Sequence, residues 1–184
     1  MPKLLSFEKI NVYNFSKVPK PCKFCLYWQT SSESQREISI GNVEREKLNW
    51  LERVEKAFGN CVQIACLDDT TIGFMQYAPA KYFPRVNDYI SGPPSGDAVF
   101  IACLYITSKN DRRKGYGTLM LLNLVKESRK RGFWTVETFA RADSDNNPSG
   151  PLAFYLKNGF KVTCQKDDFP LVRLRLNARE ASSL

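Results

Sequence analysis

The eight residues Val99–Ile106, VFIACLYI, lie in the longest purely apolar run in the chain. A strand without polar alternation has to be covered on both faces, so this run belongs inside a sheet packed on either side. It is far too short to cross a bilayer, which takes about 20 apolar residues. The sequence after it reads SKNDRRKGYGTLML (108–121) and opens a helix over 114–131. The apolar face of that helix is Leu119, Leu121, Leu122, Leu124 and Val125, and Gly132 supplies its stop. FWTVETFA is another strand. SGPLAFYLKNGF is a short helix with Ser149 as N-cap, Pro151 in its first turn and Gly159 as its stop. FKVTCQ and FPLVRLRLN read as the closing strands.

Upstream, residues 3–13 hold a first strand, and GNVEREKLNWLERVEKAFGN has the spacing of an amphipathic helix. CVQIACLDDTTIGFMQYA reads as a hairpin around an Asp-Asp-Thr-Thr turn. The connection PAKYFPRVNDYISGPPSGDA is rich in Pro, Gly and aromatics, and its length makes it a candidate wall of a substrate pocket. A hairpin followed by strand, helix, strand, helix and strand points to an α/β domain with a mixed sheet. At 184 residues and 43% apolar content, one domain spanning 1–184 with a substantial core is expected.

Composition narrows the chemistry. Histidine is absent, which excludes Ser-His-Asp and Cys-His catalysis and His-ligated metals. Any acid or base must be Tyr, Cys, Lys, a carboxylate or water. The formal charge of +8 fits a solvated basic surface, an anionic small ligand or nucleic acid. No block of five or six like charges and no aromatic-basic RNA signature is present. The N-terminus lacks the apolar core of a signal peptide, so a cytoplasmic location is expected. There the six cysteines read as thiols, with Cys103 a small core residue. Cys22 and Cys25 form a lone CxxC. Zinc would need a second ligand pair, and CVQIAC has the wrong spacing, so no metal site is assigned.

Arg112, Arg113 and Lys114 stand where a helix begins, and the positive end of the macrodipole should repel them. Gly115 and Gly117 add backbone entropy cost. A bound pyrophosphate resolves both problems. The first N–H groups of a helix have no internal partner, glycines let a ligand approach them, and the cations then face a dianion. The P-loop pattern is absent, and a dinucleotide-binding turn would need glycine where Met120 stands.

The pattern present, Arg112-x-x-Gly115-x-Gly117 between a buried strand and a helix, resembles the acetyl-CoA loop of the GNAT superfamily of N-acetyltransferases. That motif reads Gln/Arg-x-x-Gly-x-Gly/Ala. A second segment, FYLKNGFK (154–161), is similar to the family's FYEKLGFK at the expected distance downstream. The two motifs and what lies between them span residues 99–165; residues 1–60 show no resemblance, as expected of a variable acceptor-side region.

The resemblance implies a GNAT-like mixed, splayed sheet of six to seven strands and acetyl-CoA as cosubstrate. It implies that the backbone of Leu104 and Ile106 pairs with the pantetheine arm. The loop amides from Arg113 through Lys114, Gly115, Tyr116 and Gly117 to Thr118 would hold the pyrophosphate, beside Arg112. Tyr155 matches the tyrosine that often protonates the departing CoA thiolate, and it is the catalytic candidate. The family's Asn ahead of the last helix has no aligned equivalent, although Asn146 and Asn147 are near. Phe154 and Tyr155 lie about 100° apart on a helix, so one packs and the other faces the cleft. Glu137 is a possible general base for the acceptor ammonium, and equally an ordinary edge or surface glutamate.

The implied activity is acetyl transfer to a primary amine, of a small molecule or peptide, by direct attack in a ternary complex. A cysteine-linked acetyl-enzyme ranks below it, because no cysteine lies in either motif. The protein would act as a monomer or homodimer without membrane or nucleic-acid partners. Two other classes stay open: a catalytically silent acyl-CoA-binding module with the CxxC as a redox element, and a basic nucleic-acid- or ribosome-associated protein. Turnover with any amine separates the first, and salt-dependent RNA binding without acetyl-CoA separates the second.

Overall fold

The computed structural model describes residues 4–33, 40–143 and 149–176; Asn146 and Asn147 lie outside the described residues. Among the described residues the strands are β1 (Leu5–Lys9), β2 (Val62–Leu67), β3 (Thr70–Ala78), β4 (Val99–Ile106), β5 (Thr135–Phe139), β6 (Lys161–Cys164) and β7 (Leu171–Arg175). The α-helices are α1 (Lys20–Lys23), α2 (Val43–Phe58), α3 (Tyr116–Lys130) and α4 (Leu152–Lys157). The strands form one sheet in the order β1-β2-β3-β4-β5-β7-β6. Its pairs are antiparallel except β4 with β5, which run parallel. The domain is α/β with a mixed, open sheet, as the order of elements implied.

The two sides of the sheet are packed differently. One, the aromatic face, sets Phe74, Phe100 and Phe139 against Trp28, Trp50 and Phe83. Tyr89 stacks between Phe139 and Trp28, with ring centroids at 4.4 and 5.3 Å. The connection between β3 and β4 covers this side through two 3₁₀ turns, Ala80–Tyr82 and Pro84–Asp88. The other side sets Met75, Ile101, Leu104 and Val136 against Met120, Leu121 and Leu124 of α3.

Two helix expectations need correction. In α3 the buried residues are Met120, Leu121, Leu124, Val125 and Ser128, whereas Leu119 and Leu122 are 42% and 55% exposed. At 3.6 residues per turn the buried stripe runs through 121, 124, 125 and 128, and 119 and 122 fall on the far side. Ser149 is not the cap of α4. Pro151 holds the cap position without a side-chain bond, and the Ser149 hydroxyl instead donates to the Phe139 carbonyl.

The strand that positions the site is β4. Gln76 of β3 faces Cys103 and the next residue, Tyr77, faces Ile101, so Ala102 is an extra residue in a bulge. The other edge of β4 meets β5 only at Val99↔Val136 and Phe100↔Glu137. The Thr138 hydroxyl adds one further link to the Ile101 carbonyl at 2.8 Å. Beyond that point the two strands separate. The expectation of a fully buried strand therefore holds only as far as Ala102. Cys103, Tyr105 and Ile106 are half-buried, because the neighbour that would cover them has diverged.

Candidate active site

The loop after β4 explains where the three cations go. A 3₁₀ turn, Lys109–Asp111, is capped by the Ser108 hydroxyl, which accepts from the Asn110 N–H at 3.2 Å. Arg112 is extended; its Nε donates to the Ile106 carbonyl at 3.4 Å, and its guanidinium lies 5.6 Å from the Tyr105 ring centre. Lys114 pairs with Asp111 at 3.2 Å. Regular helix begins only at Tyr116, two residues later than the sequence pattern suggested, so the cations lie in the loop ahead of the first turn.

That loop is strained. Arg113 has φ 61° and Gly115 φ 87°, both left-handed. A non-glycine residue held there costs about 1–3 kcal/mol, and such strain clusters at binding sites. The first intrahelical bond runs from the Leu119 N–H to the Gly115 carbonyl at 3.1 Å. The N–H groups of Tyr116, Gly117 and Thr118 precede it and have no partner within the helix. The two glycines serve different needs. A Cβ on Gly115 would meet open space, so glycine is required there by backbone conformation. A Cβ on Gly117 would lie 3.4 Å from the Phe154 ring and 3.5 Å from the Leu104 side chain, so there glycine keeps a narrow gap open.

The exposed edge of β4 continues from this loop. The Thr107 N–H donates to the Ile72 carbonyl at 2.9 Å, on the β3 side. Backbone direction alternates along a strand, so the N–H and C=O groups of Leu104 and Ile106 point the other way, into the gap left by β5. The gap thus runs from the open amides of α3 along Ile106 and Leu104 to the closed end at Ile101.

Tyr155 lies at that closed end. It is fully buried, and its hydroxyl donates to the Ser149 carbonyl. Burial pushes its pKa up, while a bond with the Thr138 side chain pulls it partly back, so the phenol stays protonated. Thr138 in turn bonds Ile101, which puts the phenol beside the point where β4 and β5 part. Of the adjacent aromatics, Tyr155 is the one that packs and Phe154 the one that sits by Gly117 and Leu104.

Glu137 is neither an edge nor a surface residue. It is completely buried on β5 and accepts the Ser95 N–H and the Arg173 Nε, each at 2.6 Å, and the Ser95 hydroxyl at 3.3 Å. Arg173 also donates to the Ser95 hydroxyl at 2.7 Å. Ser95, Arg173, Asp97, Trp134 and Arg175 line a hollow of about 490 Å³. It lies at the N-terminal ends of β4 and β5, the opposite end from the loop. Among the described residues no group of three or more Cys, Asp and Glu is placed to hold a metal ion. Burial pushes the Cys22 thiol up to about 12.

The cradle fits a pyrophosphate followed by a narrow, extended arm: open amides and cations first, then the gap beside Gly117, then a strand edge that β5 leaves unpaired. The model of the acetyltransferase (GNAT) family matches residues 24–160. The chain belongs to that family. It is an acetyltransferase, and acetyl-CoA is its cosubstrate. Similar solved folds include the PaiA N-acetyltransferase from Thermoplasma acidophilum in complex with coenzyme A. It is 17% identical with TM-score 0.61, over 94% of this chain and 99% of that one. YncA from Salmonella typhimurium, a putative acetyltransferase with its cofactor acetyl-CoA, is 13% identical with TM-score 0.59, over 95% of each chain. The ribosomal-protein-S18-alanine N-acetyltransferase from Escherichia coli is 12% identical with TM-score 0.56, over 98% and 99%. No curated protein matches the chain in sequence. No helix among the described residues is long and apolar enough to cross a membrane.

Proposed function

We propose that the protein transfers the acetyl group of acetyl-CoA directly to a primary amine, with the thioester end of the cosubstrate at the closed end of the β4–β5 gap. The observation that carries this reading is the continuity of the gap with the open N–H groups at the start of α3. Acetyl-CoA, when bound, supplies the activated acyl group; the chain supplies position and protons. The amides of Arg113 through Thr118, with Arg112, hold the pyrophosphate, and the Leu104 and Ile106 backbone aligns the arm. The amine enters from the aromatic face, opposite α3, and loses a proton to water before attack. Tyr155 keeps its proton at neutral pH and gives it to the sulfur as the C–S bond breaks. We assign Glu137, whose carboxylate already accepts three bonds, to holding the closed end of the gap and the β3–β4 connection together.

The test is acetyl transfer measured with spermidine, a lysine-containing peptide, a peptide with N-terminal alanine and an aminoglycoside, followed by Tyr155→Phe on the best acceptor. The variant should lose about 10²–10⁴-fold in kcat, as general acids typically contribute. It also removes the buried bond to the Ser149 carbonyl, which costs about 0.5–1.5 kcal/mol of stability. Full kcat in Tyr155→Phe across the pH range would make the tyrosine purely structural.

A further inference from the structure

One polar side chain in the core has no structural reason to be there. Gln76 lies in β3 in the run Gly73–Ala78, is 0% exposed, and has neither its carboxamide oxygen nor its nitrogen hydrogen-bonded. Each unsatisfied buried polar atom costs about 1–3 kcal/mol. A core position between Met75 and Tyr77 would be served better by leucine. Natural cores violate that rule chiefly where function requires it.

The position says what the function is. Phe74 and Ala78 belong to the aromatic face, so Gln76, two residues from each, shares it. Its cross-strand partner is Cys103, at the bulge and one residue before Leu104. An arm lying along Ile106 and Leu104 ends at this rung, with the thioester on one side of β4 and the Gln76 side chain on the face from which the amine arrives. The surroundings are polar too. The Trp28 indole N–H is buried and turned toward the Cys103 thiol. Lys47, 3% exposed, makes a single hydrogen bond, to the Cys25 carbonyl at 2.9 Å. Trp28 through a hydrogen bond and Lys47 through its charge both act on the Cys103 thiol, which places them around the same rung.

We infer that Gln76 is the inner contact of the acceptor pocket: its carboxamide oxygen accepts a hydrogen bond from the incoming primary amine and orients the nitrogen toward the thioester carbon. The Trp28 indole N–H and Lys47 complete the polar wall behind it. This rests on the acetyltransfer reading above. It restricts acceptors to unhindered primary amines, because a secondary amine has fewer N–H groups to share between Gln76 and the reaction.

The test is Gln76→Leu, which keeps the volume and removes both orphaned atoms. Its melting temperature should be unchanged or raised, and coenzyme A binding by calorimetry unchanged. With the best of the four probe amines, KM for the amine should rise about 10- to 100-fold, the cost of a hydrogen bond to a charged group, while KM for acetyl-CoA stays put. Gln76→Leu with full amine affinity overturns the pocket and leaves the acetyltransfer reading intact. A drop in melting temperature with lost coenzyme A binding makes the amide structural and overturns the inference as well. Wild-type protein that binds acetyl-CoA and acetylates none of the probes overturns the acetyltransfer reading and the pocket together.

Discussion

The two halves of β4 have similar sequences and different fates. Val99–Ala102 is buried and meets β5 at Val99 and Phe100; Cys103–Ile106 is equally apolar but paired with β3 alone and partly open. Hydrophobicity is therefore not what distinguishes a core strand from an open edge here. The difference arises from one extra residue at Ala102 and from a parallel neighbour that stays for only two rungs. A strand edge with unpaired N–H and C=O groups is normally a liability. In this fold it is shielded inside a gap whose mouth is a strained, cationic loop.

The comparison breaks most easily at the mouth. Acetyl-CoA at 100 times its dissociation constant should stabilise the wild type by about 2.7 kcal/mol. Gly117→Val should abolish that shift, because the added methyl groups enter the gap between Phe154 and Leu104. The fold itself should survive, since a Cβ alone meets only ordinary contacts there. Arg112→Ala should weaken the stabilisation about tenfold in affinity, the scale of a single hydrogen bond to a charged group. It should act through the ligand and not through the fold, as Arg112 is exposed. The smallest effect is expected at Cys22 and Cys25. Cys22→Ser with Cys25→Ser should leave acetyl-CoA binding intact and the purified protein free of stoichiometric zinc, measured by calorimetry and metal analysis. Zinc near one equivalent in the wild type, lost in the double variant, would show a ligand set that the CxxC completes.

Structure built from one continuous stretch was legible in the sequence. The β4 run and the loop that follows it come from local spacing, as do Leu121, Leu124 and Val125 of the α3 face, whereas Leu119 and Leu122 lie outside it. The later onset of α3 was hidden because Arg113 adopts a left-handed conformation that no propensity favours. What the sequence hid most completely depends on contacts between distant segments. Glu137 reads as a surface residue until Ser95 and Arg173, 42 and 36 positions away, close around it. Gln76 carried a weak signal, a lone amide in an apolar strand. Its meaning depends on the register with Cys103, which only the β4 bulge sets.

The central claim is that acetyl-CoA lies along the open half of β4 and not in the hollow lined by Ser95, Arg173 and Arg175 at the other end of the sheet. Amide hydrogen exchange with and without acetyl-CoA tests it residue by residue. Slowed exchange at Leu104, Ile106 and Tyr116–Thr118, with Thr135, Arg173 and Arg175 unchanged, is the predicted result. Protection around Thr135, Arg173 and Arg175 with the loop amides unaffected would contradict the account.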